Sequence, residues 1–265
     1  MEQEGLMQER YEAIIITGAN GNIGSALAST LAEEGNKLIL QYHNSHQRID
    51  KLTEKFSSSI VTIKGDITEL DQLEKDLQQA VDDSGFSPLA LVHAAAKRSI
   101  DSAPLSETTP ELWRNIFDTN VIGTYNILKT VIPLMKQRYL SARTAKQSRI
   151  VLLGSDVSRI GLPYGSAYAA SKAAVSNLAR SLATELAEAG ILINTLSPGP
   201  VEIDDSHFPE TYRRFRAVYY ADMLKRTPLK RLARPTDIIT LCKFLISEEN
   251  RYMTGEEFFL TGGKL

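Results

Sequence analysis

Short continuous apolar runs alternate along the chain with longer stretches in which apolar residues recur every three or four positions. AIIIT (13–17), KLILQY (37–42), IVTIKG (60–65), LALVHAA (89–95), RIVLLGS (149–155), ILINTLS (191–197) and EFFLT (257–261) read as strands buried on both faces. SALASTLAEEG, LDQLEKDLQQAVDDSG, WRNIFDTNVIGTYNILKTVIPLMKQ and SAYAASKAAVSNLARSLATELAEAG between them carry the helical period. This alternation predicts an α/β fold, one doubly wound parallel sheet of about seven strands with helices on both faces. No repeat, low-complexity linker or compositional shift marks a second domain. Residues 13–265 are therefore expected to form one domain behind a polar extension at 1–12. In such sheets ligands bind beyond the carboxyl ends of the strands, where strand order reverses. That directs attention to the residues just after Thr17, Tyr42, Ala95, Ser155 and Ser197.

Composition narrows the picture by exclusion. A net charge of −2 gives no reason to expect nucleic acid or a membrane surface as partner. No stretch approaches the ~18 continuous apolar residues of a membrane span. The acidic start MEQEGLMQERYE is unlike a secretory signal, and the single cysteine excludes an intrachain disulfide, so a reducing, cytoplasmic setting is expected. Cys242, within IITLCKFLI, reads as a core residue, and no metal site is expected.

The first strand runs directly into TGANGNIG (17–24), which opens the first helix. Glycines there permit positive φ and close backbone approach, and the helix N-terminus offers N–H groups to an anion. The turn therefore predicts a dinucleotide pyrophosphate on Thr17, Gly18, Asn20, Gly21, Asn22, Ile23 and Gly24. The second strand ends in QYHNSHQR (41–48), without a carboxylate to accept from a ribose 2′-OH. His43, Asn44 and Ser45 can donate to a 2′-phosphate, and Arg48 is close in sequence. NADP(H) is expected, with NAD(H) the second choice.

GSAYAASKAAV places Tyr168 and Lys172 four residues apart, on one helix face. A phenol ionises near pH 10, and an adjacent ammonium is expected to lower that value toward the working range. Ser155 lies thirteen residues earlier and Asn120 is in DTNVIGTYN.

Together these features resemble the short-chain dehydrogenase/reductase superfamily, from about Ala13 to Gly263. The resemblance implies a Rossmann-type fold and four site residues. Ser155 would hold the substrate carbonyl, Tyr168 would act as general acid/base, Lys172 would bind the nicotinamide ribose, and Asn120 would hold a relay water. It further implies adenine contacts from Asp66 and Ile67, with Asp66 alternatively capping a helix near Thr68. It places Ala94 and Ala95 against the cofactor, and assigns the nicotinamide pocket to Pro198, Gly199 and Val201 of LSPGPVEI. Ile203 stands where the family often has Thr. Two features depart from the single-domain members. Asn22 replaces the middle glycine of TGxxxGxG, and His93-Ala94-Ala95-Ala96 replaces NNAG; both are closer to the extended branch of epimerases and dehydratases. The chain's length and its ending at the seventh strand match the single-domain members.

The segment at about 201–228 corresponds to the family's substrate lid. Its Tyr212, Arg213, Arg214, Phe215, Arg216, Tyr219, Tyr220, Lys225 and Arg226 either attract an acidic substrate or lie in water on an amphipathic helix. Lys97, Arg98, Asp101 and Tyr164 belong to neighbouring loops, Tyr164 as a pocket wall or a turn residue. GSDVSRIG and the C-terminal third are most similar to 3-oxoacyl-[acyl carrier protein] reductases, although Glu185 and Glu188 are ill suited to an acidic carrier protein. The expected function is reduction of a small carbonyl, acidic or thioester-linked, by a homodimer or homotetramer. The alternatives are an epimerase or dehydratase using bound NAD(H), and a non-enzymatic dinucleotide sensor.

Overall fold

Seven strands pair in parallel in the order β3-β2-β1-β4-β5-β6-β7: β1 (Tyr11–Thr17), β2 (Lys37–Tyr42), β3 (Ile60–Lys64), β4 (Phe86–His93), β5 (Ser148–Leu153), β6 (Ile191–Pro198) and β7 (Glu257–Leu260). The structure is a computed structural model describing residues 11–98, 104–141, 146–203 and 210–264. Of the expected extension, residues 1–10 lie outside that set, while Tyr11 and Glu12 belong to β1. Glu12 is tied to Arg138 and Lys146 at 3.0 and 3.2 Å.

The helices are α1 (Asn22–Glu33), α2 (Asp50–Lys55), α3 (Leu70–Ser84), α4 (Pro110–Phe117), α5 (Gly123–Ser141), α6 (Val157–Ile160), α7 (Ser166–Leu186), α8 (Glu210–Arg226) and α9 (Pro235–Ile246). Period-two alternation divides each central strand between two cores. Ile15, Ile39, Leu91, Ile150 and Ile193 pack with α3, α5 and α7. Ile16, Leu38, Val92, Val151 and Leu196 pack with α1 and α9, where Cys242 is buried. Burial pushes its thiol up to about 12, which makes it inert as a nucleophile.

Three boundaries differ from the sequence expectation. β4 begins at Phe86 because a register shift opposite Ala13 and Ile14 lets the strand pass Pro88, which has no N–H for the ladder. The long helix expected after β4 is interrupted by a π-helical turn, Asp118–Ile122, centred on Asn120. Such bulges concentrate at functional sites. β5 stops at Leu153, leaving Ser155 on the loop beyond it.

Candidate active site

The strand order reverses between β1 and β4, and the glycine turn lies at the carboxyl end of β1. Gly18 has φ +61°, and a Cβ there would lie 2.7 Å from both the amide nitrogen and Cα of Ala95. A Cβ on Gly24 would meet the Gly18 carbonyl oxygen. The amide of Gly21 closes the turn on that same oxygen at 2.9 Å. Gly21 is also the N-cap of α1, and no side chain caps the helix. First-turn N–H groups and the positive end of the helix dipole thus face outward, which fits a pyrophosphate.

Gln41, buried in β2, shapes this turn. Its Oε1 accepts from the Gly18 amide at 3.1 Å and its Nε2 donates to the Gly65 carbonyl at 2.6 Å. Asn20 faces the loop after β2, accepting the Arg48 amide on Oδ1 at 2.8 Å and Arg48 Nη1 on its carbonyl at 3.3 Å. Arg48 is thereby docked on the glycine turn, while His43, Asn44 and Ser45 are exposed beside it. Asp66 accepts the Thr68 amide at 2.9 Å and pairs with His43 at 3.4 Å. Burial tends to raise the Asp66 carboxyl, but the Thr68 hydrogen bonds with His43 and Lys97 outweigh it and hold it below its ordinary value. Asp66 caps no helix, since α3 starts only at Leu70 behind Glu69. Ile67 is buried in the core, where its side chain would block a Cβ on Gly123 of α5. Its carbonyl accepts from Asn126 Nδ2 at 2.9 Å, so the residue is tied into the core.

Thr17 and His93 are buried together rather than turned to a ligand. Thr17 Oγ1 lies 2.7 Å from His93 Nδ1, and His93 Nε2 lies 2.9 Å from Thr124 Oγ1. The Thr124 hydroxyl donates to the Asn120 carbonyl at 2.6 Å. A hydroxyl has one proton, so the Thr124 contact needs His93 to donate from Nε2 and accept the Thr17 hydroxyl on Nδ1. The chain of bonds therefore fixes which tautomer the neutral ring takes. Burial foremost, and the nearby Lys172 charge, lower the imidazole to about 3.

Asn120 is anchored on both amide ends. Its Oδ1 accepts the Lys97 amide at 2.7 Å, and its Nδ2 donates to the Lys97 carbonyl and to Ser171 Oγ, each at 2.9 Å. Ser171 donates to the Tyr168 carbonyl at 2.8 Å, so the π-turn, the β4 loop and the start of α7 are laced together.

Ser155, Tyr168 and Lys172 meet in one cavity of about 200 Å3. Ile23, Ala94, Arg98, Asp156, Pro198, Gly199, Val201 and Ile203 are also on its walls, with Tyr219 and Tyr220 from α8. Ala95, just behind Ala94, contributes the backbone facing Gly18. The Ser155 hydroxyl, which donates to Asp156 Oδ1 at 3.5 Å, lies beside the Tyr168 phenol in this cavity. Lys172 donates to the Leu153 carbonyl at 2.7 Å and lies 5.9 Å from the Tyr168 ring centroid. The Tyr168 phenol is raised, not lowered as expected from the Tyr–Lys spacing. Burial dominates, Arg98 and Ser155 act downward, and Asp156 and Tyr219 add to the rise. Lys172, drawn to the strand carbonyl, is itself lowered to about 8 by burial.

The lid bases are outside this cavity. Arg213, Arg214, Lys225 and Arg226 are exposed, and Glu210–Arg214 and Asp222–Arg226 pair along the helix. Arg216 is buried with its guanidinium 4.6 Å over the Tyr220 ring. Tyr220 donates to the Val201 carbonyl at 2.7 Å, and Arg98 lies 5.9 Å over the Tyr219 ring, so among the described residues this side of the cavity carries an aromatic pair beside a guanidinium. Tyr164 is exposed with φ +59°, a turn residue away from the cavity walls. Asp101 and 204–209 lie outside the described residues, as do the side chains of Tyr212 and Phe215. A larger open groove of about 770 Å3 between α3 and α5 touches none of this chemistry. Among the described residues there is no metal-binding cluster, and no helix is long and apolar enough to cross a membrane.

A switch-point glycine cradle beside a Ser–Tyr–Lys cavity defines the dinucleotide-binding reductase class. The chain belongs to the short-chain dehydrogenase/reductase family: a family model described as enoyl-(acyl carrier protein) reductase matches residues 18–264. It is 31% identical over 251 residues to oxidoreductase asL5 of Sarocladium schorii, covering 94% of each chain. It is 28% identical to the 3-oxoacyl-[acyl-carrier-protein] reductase FabG of Staphylococcus aureus, covering 95% of this chain and 97% of that one. Among solved structures, a short-chain dehydrogenase/reductase (glucose/ribitol dehydrogenase) from Brucella melitensis superposes with TM-score 0.81 at 26% identity, covering 97% of this chain and 99% of that one. ElxO with NADP bound, at 24% identity and TM-score 0.82, covers 96% of this chain and 98% of that one and shares the fold.

Proposed function

We propose that the protein reduces a carbonyl, of ketone or 3-oxoacyl type, to an alcohol with NADP(H), Tyr168 acting as the general acid. The observation carrying this is the meeting of Ser155, Tyr168 and Lys172 in one cavity bounded by Ile23 of the glycine turn and by Pro198 and Gly199. When bound, the dinucleotide supplies the hydride. Ser155, in the same cavity as the phenol, holds the carbonyl oxygen beside the proton it will receive. Burial keeps Tyr168 protonated at neutral pH, as a proton donor must be. Lys172, lowered to about 8, can return that proton near neutrality. Asn120 supports the relay by fixing the π-turn against Lys97 and Ser171.

NADP(H) is favoured over NAD(H) because no carboxylate closes β2, and the exposed His43, Asn44 and Ser45 gather near Arg48 on the turn. His93 is buried between Thr17 and Thr124 and is not on the walls of the cavity, so it lends no weight to an epimerase. The four intact site residues speak against a sensor, which needs no proton donor. The protein is proposed to work in the cytoplasm as a homodimer or homotetramer, following the habit of its family. NADPH and NADH consumption should be followed over a panel of ketones, diketones and 3-oxoacyl thioesters. Faster NADPH consumption with one of them is expected. NADPH binding without turnover across the panel would put the sensor first.

A further inference from the structure

The residue after the site serine is a buried carboxylate. Asp156 is 4% exposed, lines the cavity, and has Oδ1 3.5 Å from Ser155 Oγ. Its Oδ2 lies 2.8 Å from Lys264 Nζ, whose side chain is also largely buried at 12% exposure. Oδ2 accepts no aligned hydrogen bond among the described residues, so the ammonium charge is what offsets its burial. Two successive left-handed glycines, Gly262 (φ +63°) and Gly263 (φ +88°), turn the chain after β7 ahead of Lys264, whose ammonium reaches Asp156. The same ammonium lies 3.6 Å from Met223 Sδ on α8. Lys264 thus touches the serine loop and the lid helix from the closing segment.

We propose that Lys264 is a positioning residue: by neutralising Asp156 it keeps an uncompensated negative charge from the Ser155–Tyr168 cavity and sets where Tyr168 ionises. This rests on the reading of Tyr168 as the proton donor, but the charge balance itself is a property of the folded chain. Among the described residues, the other titratable groups in the cavity with the phenol are Arg98 from the β4 loop, Lys172 from α7, and Tyr219 and Tyr220 from α8. Around Asp156, the Arg159 guanidinium stacks on Phe259 at 4.2 Å. Glu257 is engaged by Ser158, Ser176, Ser197 and Arg180. Neither takes the place of Lys264. A carboxylate near the phenol disfavours tyrosinate, in keeping with the upward pull Asp156 exerts on Tyr168.

The test is tyrosinate absorbance, titrated as the difference between each protein and its Tyr168→Phe counterpart, which isolates Tyr168 without any substrate. Lys264→Met is expected to move the midpoint upward by on the order of one pH unit. Asp156→Asn is expected to move it downward, and the double variant to return it near the starting value. Lys264→Arg, which keeps the charge, should leave it in place. The pH profile of alcohol oxidation should follow the same pattern in all four variants: up, down, and twice near the starting value. No shift in folded Lys264→Met, or an upward shift that Asp156→Asn does not reverse, would overturn the proposal. If Lys264→Met does not fold, Asp156→Asn decides: a downward shift supports the charge balance and an unchanged midpoint refutes it. Expected titrations with no reductase activity would leave the charge balance standing and remove only the enzymatic reading.

Discussion

His93 should make the fold sensitive to acid, in a window set by its burial. The imidazole ionises near 6.5 in an unfolded chain and at about 3 in the folded one. Between those values the unfolded state binds more protons, so stability is complete above the unfolded value and falls as the pH drops from 6.5 toward 3. One unit below the unfolded value the loss is on the order of 1 kcal/mol, and it grows as the pH falls further through the window. Replacing His93 by Asn, the residue the family usually has there, removes the titrating group. It shortens the bridge between Thr17 and Thr124, a baseline loss of about 1 kcal/mol. Urea unfolding of both proteins from pH 7.5 to 5.5 separates the two effects, because the baseline loss is constant and the titration is not. The wild type should lose on the order of 1 kcal/mol more than His93→Asn over that range. Parallel pH dependences would show that His93 accepts a proton in the folded state, and the tautomer drawn from its two threonines would be wrong.

Gly18→Ala puts a Cβ 2.7 Å from the Ala95 backbone at φ +61°. It should cost about 1–3 kcal/mol in thermal unfolding and weaken NADPH binding at least about tenfold, read by fluorescence titration. Unchanged affinity would detach the turn from the cofactor. Arg98→Met should raise KM for a carboxylate-bearing ketone about tenfold more than for its neutral analogue. Neutralising Arg213 and Arg214 should change neither, and the reverse result would restore the lid bases as the substrate contact. Cys242 should resist a thiol reagent in the native protein and react after denaturation, and rapid native labelling would contradict its burial in the α9 core.

The strands were legible because parallel strands covered on both faces must be nearly continuous apolar runs, and all seven lie within a few residues of their expected places. Ser155, Tyr168 and Lys172 converge as their spacing and elements implied. Other features have no local signature. A π-turn at Asn120 leaves the apolar period around it almost intact, so one long helix was expected where there are two. Gln41 and His93 did carry a signal, each a polar side chain in an otherwise apolar strand, but what they bond depends on strand neighbours. The pairing of Asp156 with Lys264 joins segments far apart in sequence through two glycine φ values, and nothing in either segment announces the other. The lid bases left two readings open because a count of charges is silent about the face they take; along α8 Arg214 and Arg226 pair with Glu210 and Asp222, Arg213 and Lys225 are exposed, and Arg216 is buried against Tyr220. Lys172 was expected to act on the phenol, but the nearer Leu153 carbonyl captures its ammonium.

The measurement bearing most directly on the proposed chemistry compares wild type with Tyr168→Phe, following NADPH consumption with the best carbonyl of the panel and NADPH affinity in the same preparations. The variant should bind NADPH within about twofold of wild type and lose about 10²–10⁴ in turnover, the scale of removing a positioned general acid. A variant that turns over as fast as wild type would show that Tyr168 is not the proton donor.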